Sequence, residues 1–265
     1  MTDQIWRLRR GNGPLVACAI HNGHHVRPEI QHFLALDDEE RLREEDPFTG
    51  IWTHVTPTRI IGLRSRFQVD LNRPRGKAVY RTPADAWQLK VWKEDLPDAI
   101  INHSLAEYDL FYRTLRELYT ELAERHGGFV VYDLHTYNHR REGPEQPAAD
   151  PKPNPQVNIG TATLANPERF GRLVSRFMHD LAEYDFPTGK LDVRENENFH
   201  GGHHPRWAHE KFPGAACVIA IEVKKFFMDE WSGEADMVLV DAIGRALRAT
   251  IPGVLEEFEQ ISAGK

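Results

Sequence analysis

Only two cysteines occur in 265 residues, Cys18 and Cys217, and both sit inside apolar runs, VACAI and ACVIAI. Two buried thiols make no disulfide framework, so nothing in the chain calls for an oxidising compartment. No stretch reaches the ~18 consecutive apolar residues of a membrane-spanning helix. The opening MTDQIWRLRRGNG has no apolar h-region of the kind a secretory signal carries. The expectation is a cytoplasmic protein with no membrane partner. Positive charge is also short, with 33 Lys and Arg against 40 Asp and Glu and a net charge of −7. That balance excludes a basic face for nucleic acid as the main business. It leaves room for an anionic small molecule, which needs only a few local arginines. No Gly-X-Ser-X-Gly elbow occurs, and neither cysteine lies at a strand end, so a serine or cysteine hydrolase has no support.

What is present reads as one globular domain over residues 1–265, with 40% hydrophobic and 28% charged residues. Short apolar runs at 15–20, 67–71, 129–132 and 218–221 read as strands buried on both faces. Helical patterns lie between them. One spans 105–125, with Leu105, Tyr108, Leu115, Leu118 and Leu122 near one face, a capping box at Ser104 and Glu107, and Gly127–Gly128 as the stop. Others are expected over Pro167–Glu183 and 234–249. Strands alternating with helices predict an α/β sandwich. Residues 140–155 (RREGPEQPAADPKPNP) are proline-rich and apolar-poor, and read as a mobile loop or lid.

Of fourteen histidines, nine cluster: His21, His24 and His25; His135 and His139; and His200, His203, His204 and His209. In open α/β sheets ligands sit beyond the carboxyl ends of the strands. There the sequence places His21-Asn22-Gly23-His24, Asp70-Leu71-Asn72-Arg73, Asp133-Leu134-His135 and Glu222. Two imidazoles, a carboxylate and an arginine suit a catalytic metal, which takes three protein ligands and keeps one position open. The acidic segment Glu44-Glu45-Asp46-Pro47 is the best source of the third ligand, with Glu44 read as a helix-end charge. Asp133 is a candidate for orienting an imidazole. Glu222 ends the apolar run ACVIAI, where a carboxylate is paired or used. Its readings are a partner for Lys224 or Lys225, or a general base. Arg64, Arg66 and Arg73 are fork donors suited to a carboxylate or an oxyanion.

Taken in order, His21-Asn22-Gly23, the EEDP segment, SRFQVDLNRP, DLHT, NIGT at 158–161, GGHHPR and the strand ending in Glu222 resemble the N-formylglutamate amidohydrolases. That family is related to the zinc carboxypeptidase and aspartoacylase group. The resemblance covers roughly residues 15–236. It implies a three-layer α/β sandwich of the zinc carboxypeptidase (phosphorylase/hydrolase-like) type, with a mixed, mostly parallel central sheet. It also implies a zinc cofactor held by His21, His135 and either Glu45 or Asp46. In the wider group the acidic ligand follows the first histidine by three positions, where this chain has His24, so His24 is a rival. Asn72 and Arg73 match a pair that grips the substrate carboxylate. Asn158, Gly202 and His203 match segments lining the substrate pocket. Glu222 matches the general base, and Arg64 or Arg66 would hold the carbonyl oxygen. The implied reaction is hydrolysis of N-formyl-L-glutamate to formate and L-glutamate. Alternatives are another N-acyl amino acid or a peptide carboxyl end on the same metal site, or a non-catalytic ligand-binding relative. A homo-oligomer is compatible with the sequence.

Overall fold

Strands covered on both faces need no polar alternation, and three such runs form the middle of the sheet. In the computed structural model, which describes residues 4–263, β2 (Leu15–Ala19), β4 (Phe129–Tyr137) and β7 (Ala216–Lys224) lie side by side and parallel. β3 (Thr58–Gly62) runs parallel to β2, and β1 (Trp6–Arg9) closes that edge antiparallel. On the other side β5 (Val157–Gly160) runs antiparallel to β7 and carries β6 (Val193–Glu195) parallel to itself. The seven-stranded order is β1-β3-β2-β4-β7-β5-β6.

Three short helices separate β2 from β3: α1 (Pro28–Gln31), α2 (Asp38–Glu44) and α3 (Thr49–Trp52). The long helices are α4 (Asp98–His126), α5 (Pro167–Glu183), α6 (His203–Lys211), α7 (Met237–Ala249) and α8 (Ile251–Ala263). Successive side chains on a strand point to opposite faces. On β4, Val130, Tyr132 and Leu134 enter a core with α5, α7 and α8, whereas Phe129 and Val131 enter a second core with α4 and α6. Asp133 and His135 continue that second face. The result is the three-layer α/β sandwich, and its sheet is mixed with a parallel centre.

Four elements differ from the sequence expectation. Residues 67–71 form turns rather than a strand, because their backbone is committed locally: Gln68 N–H donates to Ser65 O (3.0 Å) and Asp70 N–H to Ala78 O (2.7 Å). The apolar side chains split, Phe67 into a satellite core and Val69 and Leu71 under α4. The strand beside β2 is instead β3, whose two isoleucines gave only a weak run. α4 begins at Asp98, after Pro97, well before the supposed capping box. Ser104 and Glu107 lie inside the helix, where Ser104 Oγ accepts from Arg27 Nη2 (2.9 Å) and Glu107 pairs with Arg27 (2.7 Å). α7 starts at Met237, capped by Asp236, rather than at 234.

The loop at 140–155 is strapped at both ends. Glu230 accepts from the backbone N–H groups of His139 (2.7 Å) and Arg140 (3.0 Å). Arg141 reaches Glu44 (3.2 Å), and Lys224 donates to Asn154 O (2.7 Å).

α6 is seated on β7 by a buried imidazole. His209 donates through Nδ1 to Thr163 O (2.7 Å) and accepts at Nε2 from Val218 N–H (3.0 Å). Only a neutral ring can do both. Burial pushes its pKa down to about 4, below the ~6.5 of an unfolded histidine. The folded value is depressed, so the unfolded chain binds the extra proton as pH falls. The contribution is full above pH ~6.5 and is lost towards pH 4, on the order of 3 kcal/mol in all. Urea midpoints should therefore fall more steeply between pH 6.5 and 4 for wild type than for His209→Gln, which starts less stable. Equal slopes would clear His209 of the effect.

Candidate metal centre and active site

β2 and β4 end side by side, which brings residues far apart in sequence to one place. His21 follows β2, His135 lies near the end of β4, and their rings meet edge to face with centroids 5.1 Å apart. Asp46 joins them from the turn after α2, where its backbone N–H donates to His21 O (3.0 Å). Asp46 Oδ2 lies 2.9 Å from His135 Nδ1 and 3.4 Å from His21 Nδ1. One ligand atom from each residue lies within 4.8 Å of the others, and all three residues are buried.

The outer nitrogens are held by two further buried carboxylates. His21 Nε2 is 2.7 Å from Asp70 Oδ1, and His135 Nε2 is 3.2 Å from Asp133 Oδ2. For His21, whose neutral ring directs Nε2–H at the acceptor-only Asp70, Nδ1 presents a lone pair, and the charge of Asp133 beside His135 Nε2 favours the same tautomer there. His21 Nδ1 is buried with no hydrogen-bond partner. Lone pairs thus converge on an anionic oxygen, which is stable only with positive charge between them. Burial alone would raise the Asp46 carboxyl, yet the adjacent His135 and His21 imidazoles hold it far below the usual range. Asp133, near His204 and His135, and Asp70, near Arg66 and His21, are likewise held low against their burial. The same negative charge, from Asp133 and Glu222 first, lifts His135 well above the ordinary imidazole value despite burial. The donor set and its charge fit a divalent cation.

These groups open into a cavity of about 610 Å³. Glu222 stands in it as the cross-strand neighbour of His135 in the β4–β7 register. Burial, reinforced by Asp46 and Asp133, raises its carboxyl to about 7, with His135 and Arg66 opposing. Cationic side chains line the remaining wall: Arg43, Arg66, Arg73, Arg141, Arg206 and Lys225.

The profile of the N-formylglutamate amidohydrolases matches residues 13–228. The chain belongs to that family. Membership makes it an enzyme that hydrolyses an amide bond. An N-formylglutamate amidohydrolase from Ralstonia eutropha has a similar structure at 18% identity, with a TM-score of 0.72 over 98% of this chain and 99% of that one. A gene product of Agrobacterium tumefaciens superposes with a TM-score of 0.66 at 16% identity, over 97% and 96% of the two chains. No curated protein sequence matches the chain.

Among the site residues expected for this amidohydrolase, the structure gathers some and disperses others. Asp46, and not Glu45, faces the imidazoles. Glu45 turns the other way, accepting from His24 Nδ1 (2.6 Å) and from the Ser65 hydroxyl. His24 is thereby occupied at the far side of that carboxylate and is no ligand. Arg66 lines the cavity, stacked on Trp87 at 4.7 Å and bonded to Asp70 (2.8 Å). Arg64 does not. It lines a separate cavity with Arg7, Arg27 and His103. Asn72, Arg73, Gly202 and His203 do line the main cavity. Gly202 permits the approach of the Asn72 amide, since a Cβ there would collide with it.

Asn158 lies behind the wall rather than in it. Its Oδ1 accepts from Glu197 N–H (3.0 Å) and Asn198 N–H (2.9 Å), and its Nδ2 donates to Phe199 O (2.7 Å). It shapes the 198–203 side of the cavity without touching it. Lys224 and Lys225 do not pair with Glu222: Lys224 holds Asn154 O, and Lys225 donates to Arg43 O (2.6 Å) and Glu45 O (2.9 Å), bracing the segment before Asp46. Sequence reasoning assigned no role to Asp70 or His204, and read Lys225 only as a partner for Glu222. Asp70 stood in view beside Asn72, and an aspartate buried in an apolar run was the available signal.

Asn158→Ala would strand two or three backbone groups, at roughly 1–3 kcal/mol for each buried group left unsatisfied. The expected result is a lower denaturation midpoint and a raised KM for the amide substrate, with kcat changed less. An unchanged KM would show that the wall keeps its shape without Asn158.

Proposed function

We propose that the chain is a metal-dependent amidohydrolase, zinc being the metal that two imidazoles and a carboxylate suit, and that it hydrolyses N-formyl-L-glutamate to formate and L-glutamate. The observation that carries this reading is the buried His21–Asp46–His135 cluster lying beside Glu222 in a cavity rich in arginine. His21 and His135 through Nδ1, and Asp46 through Oδ2, are the groups that would hold the cation. A divalent cation there supplies Lewis acidity to the amide carbonyl and to the attacking water.

The chain's own residues do the remainder. Arg73, whose nearest acidic partner in the structure is Asp70 at 3.9 Å, is free to bind the α-carboxylate, with the Asn72 amide beside it. This holds the scissile bond over the cluster. Arg66 uses three N–H groups on Tyr80, Glu44 O and Asp70. Its remaining N–H groups can support the carbonyl oxygen as it gains charge. Glu222 takes one proton from the water as its oxygen bonds to the carbonyl carbon. It returns that proton to the nitrogen as the C–N bond breaks, and the second water proton, left on the formic acid, passes to the amine, so formate and the ammonium form of L-glutamate leave with Glu222 restored. A carboxyl raised to about 7 is matched to both transfers near neutral pH. The cationic wall suits a substrate with two carboxylates.

Glu222→Gln should lower kcat by about 10²–10⁴-fold while the metal content, measured by atomic emission, stays at the wild-type level. Wild-type turnover in that variant would remove Glu222 as the base. Removal of metal by a chelator should abolish activity, and added Zn²⁺ should restore it. In a panel of N-formyl, N-acetyl and N-succinyl amino acids, N-formyl-L-glutamate should have the highest kcat/KM. If another substrate does better, the substrate assignment fails while the metal chemistry stands.

A further inference from the structure

A file of buried groups runs behind His135, and the reaction above uses none beyond the first. Asp133 places Oδ2 against His135 and Oδ1 2.9 Å from His204 Nδ1. His204 Nε2 lies 2.9 Å from the Tyr119 hydroxyl, which lies 3.6 Å from Cys18 Sγ. Asp133, His204, Tyr119 and Cys18 are each 0% exposed. They come from β4, α6, α4 and β2.

The chemistry of these groups sets the direction of every proton. An ionised Asp133 only accepts, so His204 donates through Nδ1–H. A neutral His204 then accepts at Nε2 from the Tyr119 hydroxyl, whose oxygen can take the Cys18 thiol proton. The other oxygen of Asp133, Oδ2, lies 3.2 Å from His135 Nε2 in an ion-pair contact without hydrogen-bond alignment, and its charge favours the proton on that nitrogen, leaving His135 Nδ1 to face Asp46. A histidine with both nitrogens satisfied in a dry core specifies a fixed ring, where an apolar residue would only fill space. The backbone of the same helix start reaches the substrate side: His204 N–H donates to Asn72 Oδ1 (2.9 Å) and His203 N–H to Asn72 O (3.3 Å).

We propose that His204 is a positioning residue of the hydrolytic site: by holding Asp133 it fixes the ring and the tautomer of His135, and by its backbone it ties Asn72 to the same frame. The proposal rests on the metal-centred reading above.

The test is the Zn²⁺ affinity of metal-free protein, measured by competition with a chromophoric chelator, with circular dichroism reporting the fold. In His204→Gln the side-chain amide falls near the Nε2 position, out of reach of Asp133, and Zn²⁺ affinity should drop about 10–100-fold. In His204→Asn the amide falls near Nδ1 and should regain most of it. Wild-type affinity in His204→Gln overturns the proposal. So does a failure of His204→Asn to recover, which would assign the loss to ring shape rather than to the Asp133 bond. If His204→Gln does not fold, Tyr119→Phe decides, since it removes only the hydroxyl. A loss of about 2–10-fold in Zn²⁺ affinity supports the proposal, and no change overturns it. Wild-type protein that takes up no Zn²⁺ would bring down the metal-centred reading and this proposal together. That outcome is distinct from tight wild-type binding matched by the variant.

Discussion

Two imidazole nitrogens and a carboxylate oxygen, all buried and all able to accept, face one another at the ends of adjacent parallel strands. Such an arrangement opposes its own formation, and much of the surrounding structure serves to hold it. Asp70 and Asp133 restrain the rings from behind, Thr136 Oγ1 (3.1 Å) and the His21 carbonyl restrain Asp46, and Lys225 restrains the backbone before it. The braces come from four separate parts of the chain: the end of β2, the turn at Asp70, β4 and the segment after β7. The cluster therefore exists only when the whole sheet has closed, and the unfolded chain has nothing resembling it.

The fold was legible where burial on both faces leaves a continuous apolar run, as in β2, β4 and β7, and where a cap and an amphipathic period coincide, as in α5. It was illegible where a buried polar group decides. An apolar run at 67–71 reads as a strand until Gln68 and Asp70 are seen to be interior, and a capping box at Ser104 reads as a helix start until Arg27 is seen to claim both members. Both depend on partners remote in sequence. At the site, strand-end logic pointed to His21, His135 and Glu222, because side-chain placement at the end of a parallel strand follows from topology. The choice between Glu45 and Asp46 did not, since neighbours on a turn point in opposite directions and only the turn geometry says which one looks inward. Arg64 was grouped with Arg66 by nearness in sequence, and the turn that starts between them sends the two to different cavities. His204 stood in the histidine-rich GGHHPR string, and nothing local marks it as interior.

The cavity has a stiff floor and adaptable walls. β4 and β7 pair without interruption from Phe129–Ala216 to Tyr137–Lys224, running on past the His21–Asp46–His135 cluster. Opposite them, the walls come from the Asn72–Arg73 turn, the 198–203 segment held by Asn158, and the strapped loop whose Arg141 meets Glu44. Under the proposed function, the reacting groups and those that select the substrate lie on different parts of the molecule. Changes in the loops can alter what enters without moving the groups that react.

The ends of the sheet carry a different consequence. β1 is four residues long and β6 three, and both present charged side chains, Arg7 and Arg9 on one and Arg194 and Glu195 on the other. Short, charged borders offer little backbone for another chain to hydrogen-bond along. At high concentration, therefore, the two outermost strands are poor templates for strand-by-strand fibril growth, and lateral self-assembly would have to begin elsewhere on the surface.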